Sequence, residues 1–237
     1  FPNDHTGNLF KCSYGSDLTY HGAGAGYYQN MYELKTNEIS NDYSGLIYFI
    51  NILNNSTPTN FVCDIQEVFD VDSYLRTLAM EILMGQWDGY AYNKNNFFLY
   101  ERPSDGKFIF IEYDLDNTFG IDWFNIDWSS RSIYSWANAN RPLYSKLLAV
   151  PYFKDRFNFH MKDILTNDFQ PSTILNYLQN TQNMISSAAL LDDFKGDNKR
   201  LFPVDNVVEA EAFGITLEPA GGSASPTLEQ LYTLGKV

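Results

Sequence analysis

Gly85-Gln86-Trp87-Asp88-Gly89-Tyr90-Ala91-Tyr92-Asn93-Lys94-Asn95-Asn96-Phe97-Phe98-Leu99-Tyr100 and, after a short turn, Phe108-Ile109-Phe110-Ile111-Glu112-Tyr113-Asp114-Leu115-Asp116-Asn117-Thr118-Phe119-Gly120 decide how this chain is read. The first run carries an acid, Asp88, and an amide five positions later, Asn93; the second ends an apolar stretch on the acidic pair Asp114 and Asp116. Between them, Asn96 to Glu101 and Lys107 to Tyr113 are apolar and aromatic around Arg102-Pro103-Ser104-Asp105-Gly106, which predicts a hairpin with a five-residue turn. Asp114 then lies at the exit of the second strand. Acids delivered to one place by two elements, with an amide between them, suit divalent metal ions and a phosphate donor, because magnesium prefers carboxylate and amide oxygens.

Working outward, Leu75, Leu78, Ala79 and Ile82 recur at i, i+3, i+4 and i+7, which predicts a helix capped by Asp72 and stopped by Gly85. Trp87 to Asn96 becomes a loop on the end of that helix. Tyr43, Leu46, Ile47, Ile50 and Leu53 predict a helix over about residues 42 to 54, ending in the polar run Asn54-Asn55-Ser56-Thr57-Pro58. Gly7 to Cys12 reads as a short strand and Gly22-Ala23-Gly24-Ala25-Gly26 as a mobile loop, since its spacing is not that of a dinucleotide-binding turn. Tyr144 to Val150, Tyr152 to Leu165 and Pro171 to about Leu191 read as helices, and residues 219–227, rich in Gly, Ser and Pro, as a flexible segment. The expected class is α+β, in a single domain over residues 1–237.

Composition narrows the function classes. At 237 residues, with 44% hydrophobic and 16% aromatic residues, the chain can bury a sizeable core. A net charge of −13 argues against nucleic acid and anionic membrane surfaces as partners, which need a basic patch. No apolar run reaches the roughly 18 residues a membrane-spanning helix requires, so no transmembrane segment is expected. Cys12 and Cys63 are too few for a metal cluster; they either pair or remain as two buried thiols. Two overlapping glycosylation sequons at Asn54 and Asn55 hint at secretion, and an extracellular or cell-surface location is the expectation.

Trp87-Asp88-Gly89-Tyr90, then Asn93-x-Asn95-Asn96-Phe97-Phe98-Leu99-Tyr100, then Gly106-Lys107-Phe108-Ile109-Phe110-Ile111-x-Tyr113-Asp114-Leu115-Asp116-Asn117-Thr118-Phe119-Gly120 resemble the spore coat protein H (CotH) family of atypical protein kinases. The Met84-Gly85-Gln86 lead-in resembles its fungal surface members in particular. The likeness is dense from about residue 66 to 125 and looser from Gly7 to Asn54, including Tyr32 to Glu38. It implies a protein-kinase-like fold, mostly the helical C-terminal lobe with the metal site on the hairpin, and an N-terminal lobe largely missing, as though the chain were cut from a longer one. It also implies transfer of the ATP γ-phosphate to Ser or Thr of a surface or coat protein, with Mg2+.

The residue spacing supports the same chemistry on its own terms. Kinase phosphoryl transfer uses an acid near the attacking hydroxyl and oxygen ligands for magnesium, supplied by Asp-x4-Asn and a later Asp. Asp88 and Asn93 have that spacing. Asp88 would orient or deprotonate the acceptor, Asn93 and Asp114 would bind metal, Asp116 would be a second ligand or a local stabiliser, and Gly120 would end the strand-exit loop. Asn95 and Asn96 are expected to satisfy backbone groups in the loop. A kinase also needs a glycine-rich loop and a lysine for the nucleotide; Lys11 and Lys35 are available, and neither is assigned.

Plainer readings stand beside these. An isolated Asp-x-Asp is more often a solvated turn than a metal site, and Asp88-Gly89 alone would be a turn signal; their co-occurrence with Asn93 and two strands tips the balance. Trp87, Trp123, Trp128 and Trp136 are expected mostly in the core. His5, His21 and His160 have no metal-binding spacing, and Ser223 has no nucleophile pattern. Two other functions remain in view: a cell-surface adhesin that binds a host or cell-surface receptor, and a metal-dependent carbohydrate-active enzyme.

Overall fold

The computed structural model describes residues 4–139, 141–190, 214–216 and 231–233. The expected flexible segment 219–227 and Ser223 lie outside the described residues. In chain order the elements are β1 (Asn8–Cys12), α1 (Ala25–Met31), β2 (Tyr32–Leu34), α2 (Ser44–Asn55), α3 (Phe61–Val68), α4 (Val71–Leu83), the short α5 (Tyr90–Asn93), β3 (Phe97–Glu101), β4 (Phe108–Glu112), a 3-10 turn (Trp128–Ser130), α6 (Pro142–Ala149), α7 (Pro151–Asn167), α8 (Pro171–Leu190), β5 (Gly214–Thr216) and β6 (Leu231–Thr233). The class is α+β, as expected.

Two units form. The first comprises residues 1–118 and 131–161, the second residues 119–130 and 162–237. In the first, four strands make an antiparallel sheet in the order β2-β1-β3-β4. The predicted hairpin is there, with Leu99 opposite Phe110 and Phe97 opposite Glu112, and its turn is closed by Arg102 N–H on the Lys107 carbonyl and Gly106 N–H on the Arg102 carbonyl. β1 pairs with β3 from Asn8↔Glu101 to Cys12↔Phe97, so the start of the chain zips onto the hairpin.

One face of this sheet is buried under helices by an aromatic core. Phe49 of α2 stacks between Phe69 and Phe108, with centroids 5.1 and 5.2 Å away. Phe110 stacks on Phe97 at 5.1 Å and meets the edge of Tyr74 from α4 at 5.1 Å; Phe97 in turn meets Tyr90 of α5 at 5.2 Å. Offset and edge-on pairs at these spacings add about 0.5–1.5 kcal/mol each beyond their buried area. The same rings therefore connect α2, α4, α5 and the hairpin.

The predicted helices α2 and α4 form with their periodic residues inward: Leu46, Phe49, Ile50 and Leu53 in α2, and Leu75, Leu78, Ala79 and Ile82 in α4, are buried. Gly85, at φ +71, takes the left-handed conformation that ends α4. The cap is Asp70 and not Asp72, since Asp70 Oδ1 accepts the Ser73 amide. Asp72, one residue inside the helix, instead accepts two hydrogen bonds from Arg156 at 2.8 and 3.0 Å and lies 3.0 Å from His160 Nε2, both on α7. Burial opposes ionisation of Asp72, but the His160 and Arg156 bonds outweigh it and hold its carboxyl below the ordinary range.

Other expectations change. The glycine-rich loop is half helix, because α1 begins at Ala25. β2 and α3 were not anticipated. Both sequon asparagines lie in the last turn of α2 and not in a loop; the Asn54 Nδ2 is already bonded to the carbonyls of Leu18 and Ile50. Cys12 is buried in β1, Cys63 is exposed on α3, and the two are free thiols, so no disulfide supports secretion. Burial pushes the Cys12 thiol up. Trp87, Trp128 and Trp136 are core, whereas Trp123 is 70% exposed. The expected C-terminal helices appear as α6, α7 and α8.

Within the second unit, Asp122 organises the loop around Trp123: its carboxylate accepts the amides of Phe124 and Ile126 and the indole N–H of Trp128 at 2.8–3.0 Å. Those bonds hold the Asp122 carboxyl low against the opposing effect of burial. Gly120 takes a left-handed φ of +90 in a turn. β5 and β6 pair antiparallel.

Gly7 sits where nothing larger fits. A Cβ there would lie 2.0 Å from the carbonyl oxygen of Glu101 and 2.8 Å from the Tyr100 ring, and a paired backbone cannot yield cheaply. Gly7→Ala is expected to lower stability by about 2–3 kcal/mol in urea unfolding. Gly24→Ala, where no atom lies within 4 Å, should change it by less than about 0.5 kcal/mol; equal effects from the two would remove this account of the β1 docking.

Candidate functional site

The site begins with a match of lengths. The backbone amide of Asp70 bonds the Phe108 carbonyl at 2.9 Å, so α4 and β4 start side by side. From Asp70 to Met84 the helix rises about 20 Å at about 1.5 Å per residue, and from Phe108 to Asp114 the strand climbs about 20 Å at about 3.4 Å per residue. Helix and strand thus end level. Gln86 fastens the two ends: its Nε2 donates to the Asp114 carbonyl at 3.2 Å, and its Oε1 accepts the Asp88 amide at 3.0 Å. A single buried side chain therefore ties the loop bearing Asp88 to the strand exit bearing Asp114.

Asp88 is 7% exposed, and its carboxylate is enclosed by carboxamides. Oδ1 accepts from Asn93 in a very short contact and from Asn95 at 3.3 Å; Oδ2 accepts from Asn96 at 2.9 Å and from Asn117 at 3.3 Å. Asn95 and Asn96 thus serve Asp88, not the loop backbone as their residue type suggested. Four neutral amide donors replace the hydration of the buried carboxylate without bringing a countercharge. The loop reaches this arrangement through left-handed residues at Lys94 (φ +57) and Asn96 (φ +56), and Asp114 is left-handed as well (φ +57). Asn and Asp tolerate that conformation better than most residues.

The loop is anchored from below. Trp136 donates its indole N–H to the Gln86 carbonyl at 3.2 Å. Arg141, 3% exposed, donates to the carbonyls of Tyr90 at 3.3 Å and Tyr92 at 2.6 Å, satisfying the end of α5. Burial lowers the Arg141 pKa, an effect the nearby Tyr90 opposes. Tyr90 receives the Leu143 amide and donates to the Asp17 carbonyl, both at 3.1 Å.

Asp88 and Asn93 are in direct contact, and Gln86 brings the Asp114 backbone to them. Asp114 and Asp116 are exposed, and neither joins the amide cage. Among the described residues no three His, Cys, Asp or Glu side chains converge as a metal site. Taken singly, the carboxylates of Asp114 and Asp116 and the carbonyl oxygen of Asn93, whose NH2 is given to Asp88, are oxygen donors of the kind a hard cation takes. Such a shell would be completed by water and phosphate oxygens, as magnesium usually requires. Of the two lysines, Lys35 pairs with Glu33 at 2.5 Å, whereas the Lys11 ammonium lies 5.4 Å from the ring centroid of Tyr113, the residue before Asp114.

Gln86, Asn117, Arg141 and Glu81 had no role in the sequence reading. Gln86 and Asn117 stood inside the decisive runs, and a count of amide side chains around Asp88 would have pointed to Asn117. Arg141 and Glu81 carry no local signal. Glu81 lies on α4 against Gly89, where an added Cβ would come 2.9 Å from its Oε1. Burial, with a contribution from Glu112, pushes the Glu81 carboxyl up to about 8.

A family model described as CotH kinase protein matches residues 2–213. The chain belongs to the CotH family. Among its relatives, Invasin CotH3 of Rhizopus delemar is 29% identical over 119 residues, covering 49% of this chain and 20% of the relative. Invasin CotH7 of the same fungus is 30% identical over 130 residues, covering 52% and 21%. The inner spore coat protein H of Bacillus subtilis is 32% identical over 93 residues, covering 38% and 24%. These CotH relatives are thus matched over only a quarter of their length or less.

Glu81 gives the site a pH signature. Below about pH 4.3 folded and unfolded chains both hold its proton; between there and about 8 only the folded chain does, so this group makes stability fall as pH rises through that window. Glu81→Gln should remove a loss on the order of a few kcal/mol. Urea unfolding at about pH 5 and about pH 8 tests this, with the variant expected to gain stability mainly at the higher pH. A pH dependence identical to wild type would refute it.

Proposed function

We propose that this CotH-family chain forms the acceptor and metal side of a phosphoryl-transfer site, moving the ATP γ-phosphate to a Ser or Thr hydroxyl of a surface or coat protein. The observation that carries the reading is the buried Asp88 carboxylate held by Asn93 five residues on, with the Asp114 backbone tied to the same loop through Gln86. The family's own description as a kinase protein supports it. A protein-kinase-like architecture is part of the proposal, since the helix, loop, hairpin and strand-exit acid follow the order in which kinases present these parts.

Asp88 would accept a hydrogen bond from the acceptor hydroxyl and take its proton as the oxygen becomes bonded to phosphorus. The amide cage would hold Asp88 fixed in direction until then. Asn93, Asp114 and, secondarily, Asp116 would hold Mg2+, which when bound would supply charge neutralisation for the ATP phosphates. Lys11, whose ammonium lies over the Tyr113 ring, is a cation available to approach a phosphate. Among the described residues no helix is long and apolar enough to cross a membrane. The relatives, invasins and an inner spore coat protein by name, support a coat or surface location. They also support a second reading, a surface protein that engages a receptor without catalysis.

The test separates the two acids. In the full-length protein, Asp114→Asn should abolish the rise in melting temperature produced by magnesium and ATP, with little effect on the apoprotein because the side chain is exposed. Asp88→Asn should keep most of that rise and lose phosphate transfer about 100-fold or more. It should also cost about 1–3 kcal/mol of stability, since its new NH2 would face NH2 groups of the cage. If neither substitution changes nucleotide response or transfer, the receptor-binding reading takes over.

A further inference from the structure

We propose that Asn95 is a place-holder whose carboxamide occupies, on Asp88 Oδ1, the position that the acceptor hydroxyl must take, and that acceptor binding displaces it. The inference rests on the phosphoryl-transfer reading and adds an acceptor subsite to it. An ionised carboxylate offers about four lone-pair sites, and Asp88 already accepts four carboxamide donors. A hydroxyl that is to lose its proton to Asp88 must first donate a hydrogen bond there, so one of the four must leave.

The geometry selects which one. Asn96 and Asn117, on Oδ2, are 6% and 4% exposed; turning either away would strand a buried NH2 at a cost comparable to the bond itself. Asn93 also bonds Oδ1, and in the proposed site its oxygen turns to the metal while its NH2 stays on Asp88. Asn95 combines a long contact of 3.3 Å with partial exposure, so its NH2 can exchange Asp88 for water without being left unsatisfied. The backbone need not shift, because Arg141 fixes the Tyr92 carbonyl and Lys94 closes α5 by its own amide on Tyr90. Once Asn95 has turned out, the acceptor O–H donates to the vacated Oδ1. As the acceptor oxygen bonds to the γ-phosphorus, its proton passes to Asp88, and the bond from phosphorus to the bridging oxygen breaks with its electron pair leaving on ADP.

The full-length protein is assayed with magnesium, ATP and a Ser-containing peptide, comparing wild type, Asn95→Ala and Asn117→Ala. Removing the competitor should lower the acceptor KM about threefold to tenfold, the equivalent of one modest hydrogen bond. Asn117→Ala, which loosens the fixed side of the cage, should lower kcat at unchanged acceptor KM. A second readout needs no transfer: coupling of an amine to Asp88 by a water-soluble carbodiimide, followed by peptide mapping, should be several-fold faster in Asn95→Ala than in wild type. An Asn95→Ala protein that loses kcat at unchanged KM, or labels Asp88 no faster, overturns the place-holder. Wild type that transfers no phosphate while Asn95→Ala still speeds labelling refutes the transfer reading and upholds the uncovering of Oδ1. Asn95→Ser, too short to reach Asp88, carries the same expectations should the alanine variant not fold.

Discussion

A negative charge taken out of water governs the centre of this molecule. Burying a carboxylate is costly unless donors replace its hydration, and a paired cation would satisfy it only by neutralising it. The chain instead surrounds Asp88 with the amides of Asn93, Asn95, Asn96 and Asn117. That solution dictates much else. It requires two left-handed residues in the loop, a strand exit close enough for Asn117 to reach across, and a rigid floor under the loop. The floor is supplied by Trp136, Arg141 and Tyr90, and the reach by the equal lengths of α4 and the strand running to Asp114.

The charged groups around the centre divide by exposure. Asp88 and Glu81 are buried within a few residues of each other, yet they are treated differently: one is wrapped in donors, and the other is driven toward its neutral form by its surroundings. Asp114 and Asp116 remain exposed to solvent. The contrast follows from what each position touches, since all four side chains are simple acids.

The hairpin, the periodic faces of α2 and α4, and the Asp88 to Asn93 relation could be read from sequence because each is written in local spacing. What escaped had non-local or ambiguous causes. Asp70 and Asp72 are equally good caps by residue type, and only the partners Arg156 and His160, some 84 and 88 positions away, decide which is which. β2 has only three residues and α3 only eight, too few for a period to assert itself. Asparagine's preference for turns suggests backbone duty for Asn95 and Asn96; Asn96 does adopt a left-handed turn conformation, and its side chain has a second task that only three dimensions reveal. The CotH resemblance was legible for the same local reason, being concentrated in one run of about sixty residues.

The pairing of β1 with β3 joins residues 85 to 93 positions apart, from Cys12↔Phe97 to Asn8↔Glu101, whereas every member of the amide cage lies between Asp88 and Asn117. Closing the longer loop carries an entropic toll of about 4 kcal/mol before any contact rewards it, while the hairpin closes across six residues. Assembly should therefore run from the middle outward, with helix α4, the hairpin and the cage forming a nucleus onto which the amino-terminal strand later docks. During synthesis β1 emerges well before β3 yet would be among the last elements to find its partner, and until it docks the β3 edge it covers would stand open to strands of neighbouring chains.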